Sequence, residues 1–195
     1  MTAFKGSKTA ECLMKAFAGE SQAKNRYTYY AEKAVEEGFQ QIAEIFRETA
    51  YNEEMHARLY FNHLVENLGN DAVEINGAGY PVALASTEDN LKAAAEGEHA
   101  EWTDIYPSFA KVAEEEGFPE VATTFSGITK VEESHEIRYN KLLDNVKNAS
   151  VFKKDTKILW KCRRCGFIIE SAMAPPKCPV CAHPQAYYEM FVENY

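Results

Sequence analysis

The sequence predicts an all-α four-helix bundle with a long crossover connection, followed by a small domain of β and turn structure. Three observations predict this fold. Long amphipathic stretches rich in Ala, Glu, Lys, Gln and Leu occupy most of the chain. These stretches fall into two halves that repeat each other. Near the C-terminus the pattern changes to a short β-type segment and two Cys-x-x-Cys pairs. We therefore expect two domains, residues 1–150 and 151–195.

Composition and charge limit the classes of function. Hydrophobic residues make up 46% and charged residues 26% of the chain, as is usual for globular proteins. The net charge of −9 argues against nucleic acids and anionic membranes as partners, because both attract clustered Lys and Arg. The sequence contains no apolar stretch long enough for a signal peptide or a membrane span. We expect a cytoplasmic protein that binds neither nucleic acid nor membrane.

The first half of the chain predicts one helical hairpin. Helices are expected over Thr9–Glu37 and Phe39–Leu68, with a break at Gly38 and a stop at Gly69. The stretch Asn70–Ser86 contains glycines and a proline and lacks helical periodicity. We therefore predict that this stretch is a crossover connection between two hairpins.

The second half, Thr87 to about Asn148, repeats the first. LMKAFAGE matches LKAAAEGE, EEGFQQIAEIF matches EEGFPEVATTF, and EEMHARLY matches EESHEIRY. The helix breaks at Gly38-Phe39 and Gly117-Phe118-Pro119 fall at matching places. Two related hairpins joined by a long crossover are the arrangement of a ferritin-like four-helix bundle.

Two Glu-x-x-His motifs indicate a metal site in the bundle, since this spacing puts both side chains on one helix face. A single such motif is weak evidence, because Glu and His are common on helix surfaces. Here the motifs are repeat partners, and each half adds a further glutamate. The resulting candidate ligands are Glu20, Glu53, His56, Glu98, Glu132 and His135. Four carboxylates and two imidazoles are typical of di-iron and di-manganese bundles. Glu53 and Glu132 are expected to bridge the metals, with Glu20 and Glu98 each capping one.

Glu101 breaks the repeat. It lies three residues after Glu98, whereas the residue three after Glu20 is Ala23. One interpretation is a solvated helix glutamate; the other, favoured by its register with Glu98, is a seventh ligand. Binding Glu101 in a diferric, oxo-bridged state and exchanging it for His56 in the diferrous state would keep the charge of the buried core near zero.

Four cysteines predict a metal site in the small domain: Cys162, Cys165, Cys178 and Cys181. Two Cys-x-x-Cys knuckles suit either zinc or iron, and their spacing does not distinguish them. Nearby aromatic residues are expected to form the core of this domain: Trp160, Phe167, Tyr187, Tyr188 and Phe191. The β-type segment is Lys157–Trp160. Cys12 is predicted to be a packed thiol, because no activating base lies near it in sequence.

The joint pattern resembles the rubrerythrin family over nearly the whole chain. The resemblance lies in AFAGESQAKNRY around Glu20, GEHAEW around Glu98, both Glu-x-x-His motifs, and the rubredoxin-like CRRCG and CPVCAHP. It implies a non-haem di-iron peroxidase that reduces hydrogen peroxide to water and protects cells from oxidative stress. It also implies electrons from NAD(P)H, delivered by rubredoxin or a flavoprotein reductase, and Fe(SCys)₄ in place of zinc.

The resemblance also implies roles for individual residues. The iron ligands implied are Glu20, Glu53, Glu98, Glu101, Glu132 and His135, with His56 as the alternate ligand of the reduced state. Tyr27 and Tyr106 correspond to tyrosines that hydrogen-bond ligand carboxylates; core packing is the simpler interpretation of both.

Three functions are compatible with these features. The first is the peroxidase, acting as a homodimer or higher homo-oligomer in which a head-to-tail partner supplies the cysteine iron. The second is a ferritin-like ferroxidase, although the small domain would then lack a purpose. The third is a non-catalytic bundle with a structural zinc ribbon.

Overall fold

The computed structural model describes residues 3–194, which form a long helical part and a small three-stranded sheet. The helices are α1 (Lys8–Glu36), α2 (Gln40–Leu68), α3 (Thr87–Ala100), α4 (Tyr106–Glu116) and α5 (Pro119–Lys147). A five-residue π-helical segment, Glu101–Ile105, joins α3 to α4, and together they form the third helix of the bundle. The strands are β1 (Lys153–Cys162), β2 (Ile168–Met173) and β3 (Tyr188–Met190).

The helices pair as two hairpins. α1 packs along α2, while α3 and α4 pack along α5. Residues 71–86 contain no helix or strand and run between the hairpins. Gly38 and Gly117 adopt φ values of +83° and +89° at the two turns, a backbone conformation that favours glycine. The predicted four-helix bundle with a long crossover is confirmed.

Each hairpin caps the first helix of the other through a glutamate at its turn. The carboxylate of Glu116, at the end of α4, accepts hydrogen bonds from the backbone N–H and the hydroxyl of Thr9 at 2.8 and 2.7 Å. The carboxylate of Glu37, after α1, accepts one from the backbone N–H of Thr87 at 2.8 Å. Both pairs occupy repeat-equivalent positions. Free N–H groups at two helix starts are thereby satisfied across the bundle.

The π-helical segment marks a one-residue difference between the repeats. Tyr27 is the seventh residue after Glu20, whereas Tyr106 is the eighth after Glu98. A π-helix takes up such an extra residue without ending the helix, and it is often found at functional sites. The segment lies beside Glu98 and begins with Glu101.

Two hydrophobic clusters fill the bundle on either side of its centre. One contains Tyr27, Phe46 and Tyr139, and the other contains Leu13, Tyr60 and Phe125. All six side chains are fully buried. The polar residues at mid-bundle are therefore enclosed by apolar layers that exclude water.

The small sheet is antiparallel, with strand order β2-β1-β3. The predicted strand Lys157–Trp160 lies within β1, which is longer at both ends. Trp160 and Tyr188 are fully buried in the core of this domain, and Phe167 and Tyr187 pack against it. Phe191 is half-buried but is not part of that cluster.

The outer limits predicted for the two domains, residues 1 and 195, lie outside the described residues, and the boundary at residue 150 stays a prediction. Among the helices that the structure describes, none is both long and apolar enough to cross a lipid bilayer.

Candidate metal centres

All four bundle helices contribute to one buried polar cluster at mid-bundle. Glu20 comes from α1, Glu53 and His56 from α2, Glu98 from α3, and Glu132 and His135 from α5. The most exposed of these side chains, His56, retains only 6% of its accessible surface. The structure thus brings together all six ligands predicted from the repeat.

The cluster divides into two groups with shared carboxylates. Atoms of Glu20, Glu53, His56 and Glu132 lie within 4.8 Å of one another, as do atoms of Glu53, Glu98, Glu132 and His135. Glu53 and Glu132 belong to both groups, whereas Glu20 and Glu98 each belong to one. This geometry agrees with two bridging and two capping carboxylates.

The two imidazoles enter the cluster in equivalent ways. Nδ1 of His56 lies 2.8 Å from Glu53 Oε2 and 3.0 Å from Glu132 Oε1. Nδ1 of His135 lies 2.9 Å from Glu132 Oε2 and 3.3 Å from Glu53 Oε1. The two rings are 6.1 Å apart. His56 therefore belongs to one of the two groups that could hold a metal ion.

The unpartnered atoms of the cluster fit metal ions. Both carboxylate oxygens of Glu53 and of Glu132 and Nδ1 of both histidines are buried without a hydrogen-bond partner among the described residues. Their close contacts lack hydrogen-bond geometry, although buried polar groups are almost always hydrogen-bonded. Convergent carboxylate oxygens and imidazole nitrogens form a donor set suited to iron or manganese.

Electrostatics agree with a cation-binding cluster. Burial, together with the carboxylates of Glu53 and Glu132, raises the pKa of Glu98 to about 8. Burial and the same two neighbours hold the pKa of Glu20 well above its ordinary value. The cluster must therefore carry protons when no cation balances it, and metal binding displaces them.

Two tyrosines hold the capping carboxylates across the bundle. The hydroxyl of Tyr27 on α1 donates to Glu98 Oε1 at 2.6 Å. The hydroxyl of Tyr106 on α4 donates to Glu20 Oε1 at 2.7 Å. Both tyrosines are buried. Each binds the glutamate of the other hairpin, which core packing alone does not require.

Glu101 lies beside the cluster but outside both ligand groups. It is half-buried and lines a pocket of about 490 Å³ between α1, the crossover and the π-helical segment. Tyr106 and Arg26 line the same pocket. The structure thus has His56 at the cluster and Glu101 facing the pocket, one of the two arrangements that the predicted ligand exchange requires.

A second opening lies on the opposite side, between α2 and α5. His56 and His135 line a groove of about 530 Å³ together with Glu48 and Arg138. Nη1 of Arg138 contacts Glu48 Oε1 at 2.6 Å. The cluster can therefore be approached from the Glu101 side and from the histidine side.

The four cysteines of the small domain form a second centre. Their sulfurs lie within 4.8 Å of one another, with Cys162–Cys181 and Cys165–Cys178 distances of 3.7 Å. In each knuckle the residue after the second cysteine donates its N–H to the carbonyl of the first: Gly166 to Cys162 and Ala182 to Cys178. Both residues adopt positive φ. This is the geometry of a tetrahedral four-sulfur metal site.

The fifth cysteine, Cys12, belongs to neither centre. It is buried in the hydrophobic cluster around Leu13, and burial raises the pKa of its thiol to about 11. The thiol is therefore protonated at neutral pH and unreactive, as expected for a packed side chain.

Comparisons with known proteins agree with both centres. The family model described as Rubrerythrin matches residues 11–143, and the one described as Rubrerythrin, rubredoxin-like domain, matches residues 160–189. Rubrerythrin-1 of Clostridium acetobutylicum is 58% identical over 195 residues, which cover all of both chains. Rubrerythrin of Clostridium perfringens is 57% identical over 196 aligned residues, again covering all of both chains.

Structural comparison gives the same result. A solved structure of nigerythrin in a mixed-valence state is similar with a TM-score of 0.65 and 30% sequence identity, covering 98% of this chain and 94% of that one. The rubredoxin-like match favours iron over zinc at the four cysteines. The chain belongs to the rubrerythrin family, with a di-iron carboxylate site in its helical bundle and a four-cysteine iron site in its small domain.

Proposed function

We propose that this protein is a peroxidase that reduces hydrogen peroxide to water and protects the cytoplasm from oxidative stress. One observation carries the proposal: the chain joins a buried carboxylate and histidine centre for two metal ions to a four-cysteine iron site. Reduction of H₂O₂ to two waters consumes two electrons and two protons. A di-iron site would supply both electrons at one place, and a one-electron site would restore them in two steps.

The ligand assignment follows the two groups. Glu53 and Glu132 would bridge the irons, Glu20 and His56 would complete the set around one, and Glu98 and His135 would complete the set around the other. Glu101 would be the exchangeable ligand, taking the place of His56 in the oxidised state. The shared position of Glu53 and Glu132 supports the bridging role.

When bound, the irons supply the redox chemistry and act as Lewis acids. The residues around them hold the site in one geometry and exclude water. Tyr27 and Tyr106 fix the capping carboxylates through hydrogen bonds. Glu101 faces a pocket at the edge of the cluster, where its carboxyl group can take up a proton from water and pass it to the site.

Electrons reach the cysteine iron from a separate carrier. We propose a rubredoxin or a flavoprotein reductase, which takes electrons from NAD(P)H. The iron held by the four cysteines would relay them to the bundle, in a homodimer or higher homo-oligomer. The rubredoxin-like domain supports this path, because it is a redox module attached to a catalytic one.

Stopped-flow oxidation of the reduced protein tests the proposal. Hydrogen peroxide is expected to oxidise the bundle irons much faster than O₂ does. If O₂ reacts as fast and ferric mineral accumulates, the protein is a ferroxidase. A colourless protein that contains zinc and does not react with either oxidant would support the structural alternative.

A further inference from the structure

Arg26 is a buried cation without an anionic partner among the residues that the structure describes. This α1 residue retains 9% of its accessible surface, and its Nε and Nη1 atoms have no hydrogen-bond partner among the described residues. Its guanidinium lies 5.8 Å from the ring centre of Tyr27, which binds a capping carboxylate. Burying a guanidinium without an anion costs free energy. An anion in the same pocket would therefore stabilise the buried guanidinium of Arg26.

Glu101 is the acidic side chain that the same pocket offers to Arg26. Both residues line it, and the side chain of Glu101 has no hydrogen-bond or ion-pair partner within the described residues. The other basic residue of the pocket, Lys15, is already paired with Glu11 at 2.7 Å. The other acidic residue, Asp104, is exposed. Arg26 and Glu101 are thus the unpaired, largely enclosed charges of this pocket.

The repeat shows that the two charges occur together on one side of the bundle. Tyr27 and Tyr106 are repeat partners, so the position of Arg26 is occupied by Ile105 in the second half. Likewise, the position of Glu101 is occupied by Ala23 in the first half. Both departures from symmetry face the same pocket. A carboxyl group and a guanidinium that occur together in one pocket indicate a shared task.

We propose that Arg26 is a positioning residue that receives the carboxylate of Glu101 when Glu101 leaves the irons. This inference rests on the proposed role of Glu101 as the exchangeable ligand. A released carboxylate in a half-buried pocket needs a countercharge, and the guanidinium supplies it with two unpartnered nitrogen donors, Nε and Nη1. Arg26 therefore stabilises the arrangement with His56 at the cluster and Glu101 in the pocket, which is the arrangement of the reduced state.

The proposal predicts the direction of a redox effect. Removing the guanidinium leaves the released carboxylate unpaired, so Glu101 shifts toward the irons. Carboxylate binding favours the ferric state, and the midpoint potential of the bundle irons falls. A cation that acted only through space on the irons would also raise the potential. The two explanations differ in whether the effect depends on Glu101.

The test is a double-mutant cycle on the midpoint potential of the iron-loaded protein. The four proteins are the wild type, Arg26→Met, Glu101→Gln and the double variant, each checked for iron content and thermal unfolding. Arg26→Met is expected to lower the potential several-fold more in the wild-type background than in the Glu101→Gln background. Arg26→Lys should restore part of the loss. If Arg26→Met does not load iron, Arg26→Gln takes its place in the cycle.

Two matched controls complete the design. Lys15→Met removes the paired cation of the same pocket and should show no coupling to Glu101. Asp104→Asn tests the alternative partner, and the effect of Arg26→Met should persist in that background. Equal potential shifts with and without the Glu101 carboxylate would overturn the proposal. Because no peroxide is used, a wild type without peroxidase activity would refute the proposed function while leaving this result to stand.

Discussion

The hydroxyl of Tyr27 donates a 2.6 Å hydrogen bond to the carboxylate of Glu98 on the other hairpin. Tyr106 and Glu20 form the equivalent pair in the opposite direction, at 2.7 Å. The two hairpins are therefore tied together at the metal cluster as well as at their turns. Each tie satisfies a buried carboxylate oxygen, and leaving a buried acceptor unpaired costs about 1–3 kcal/mol.

Tyr27→Phe is expected to lower the free energy of unfolding of the iron-loaded protein by about 1–3 kcal/mol, because Glu98 loses its donor. Tyr139→Phe is the matched control. Tyr139 packs against Tyr27 and is equally buried, but its hydroxyl has no partner among the described residues. Urea unfolding of both variants gives the comparison. Similar losses in the two would mean that packing, not the hydrogen bond, matters at Tyr27.

The variants Glu101→Ala and Glu132→Ala should distinguish the role of an exchangeable ligand from that of a bridging ligand. Glu101 lies outside both ligand groups, so its loss is expected to leave the iron content largely intact while slowing peroxide turnover. Glu132 belongs to both groups, so its loss should release metal. Iron analysis and peroxide turnover are measured on the same preparations. Equal loss of iron in both variants would show that Glu101 has a structural role.

Much of this site follows from the sequence because its ligands occur at fixed helical spacings within a repeat. The pairs Glu53-His56 and Glu132-His135 need only helical geometry to converge. The π-helical segment could not be predicted from the types of residue it contains. It forms because the packed helices must accommodate one extra residue. The signal was present in the longer spacing from Glu98 to Tyr106. The sequence analysis also did not single out Arg26. Its counterpart, Ile105, is found only when the repeats are aligned with one extra residue in the second half.

Contacts between distant segments were the other part not predicted. The caps from Glu37 to Thr87 and from Glu116 to Thr9 join residues far apart in sequence. Strands β2 and β3 are short, and their existence depends on pairing with β1. Local propensity gives little information on such strands.

The cap at Glu116 gives a pH-dependent prediction. Partial burial works against ionisation, but hydrogen bonds from the hydroxyl and backbone of Thr9 hold the pKa of Glu116 below its ordinary value. A lowered pKa stabilises the folded state above the unfolded pKa, and this contribution is lost as the pH falls through the folded value. Glu116→Gln is therefore expected to cost about 1 kcal/mol at pH 7 and less near pH 4. Urea unfolding of both proteins at pH 7 and pH 4 measures this cost. If the difference in unfolding free energy is the same at the two pH values, the charge of Glu116 does not contribute to the cap.

The distance between the two iron centres of one chain favours transfer between subunits. From His135 to the end of α5 at Lys147 the helix rises about 18 Å. The small domain also packs at that end of the bundle, where Phe152 stacks on Phe39 with ring centres 6.2 Å apart. In a head-to-tail dimer, a partner's cysteine domain could lie closer to the cluster, and two-fold dimers are the commonest assembly.

A mixed dimer tests this arrangement. One subunit carries Glu132→Ala, which disables the bundle, and the other carries Cys178→Ser, which disables the small domain. Transfer between subunits predicts that the mixture regains peroxidase activity that neither parent dimer shows. Folding of both parents and assembly of the mixture are verified first. An inactive mixed dimer would show that each chain supplies its own bundle.

Anaerobic titration of the fully reduced, iron-loaded protein with hydrogen peroxide tests the central claim most directly. The optical spectrum follows the bundle irons and the cysteine iron separately, and metal analysis fixes the number of sites. The account predicts that both centres are fully oxidised by about 1.5 H₂O₂ per chain, because two bundle irons and one cysteine iron give three electrons and each peroxide takes up two. Bundle irons that stay reduced after several equivalents of peroxide would contradict it.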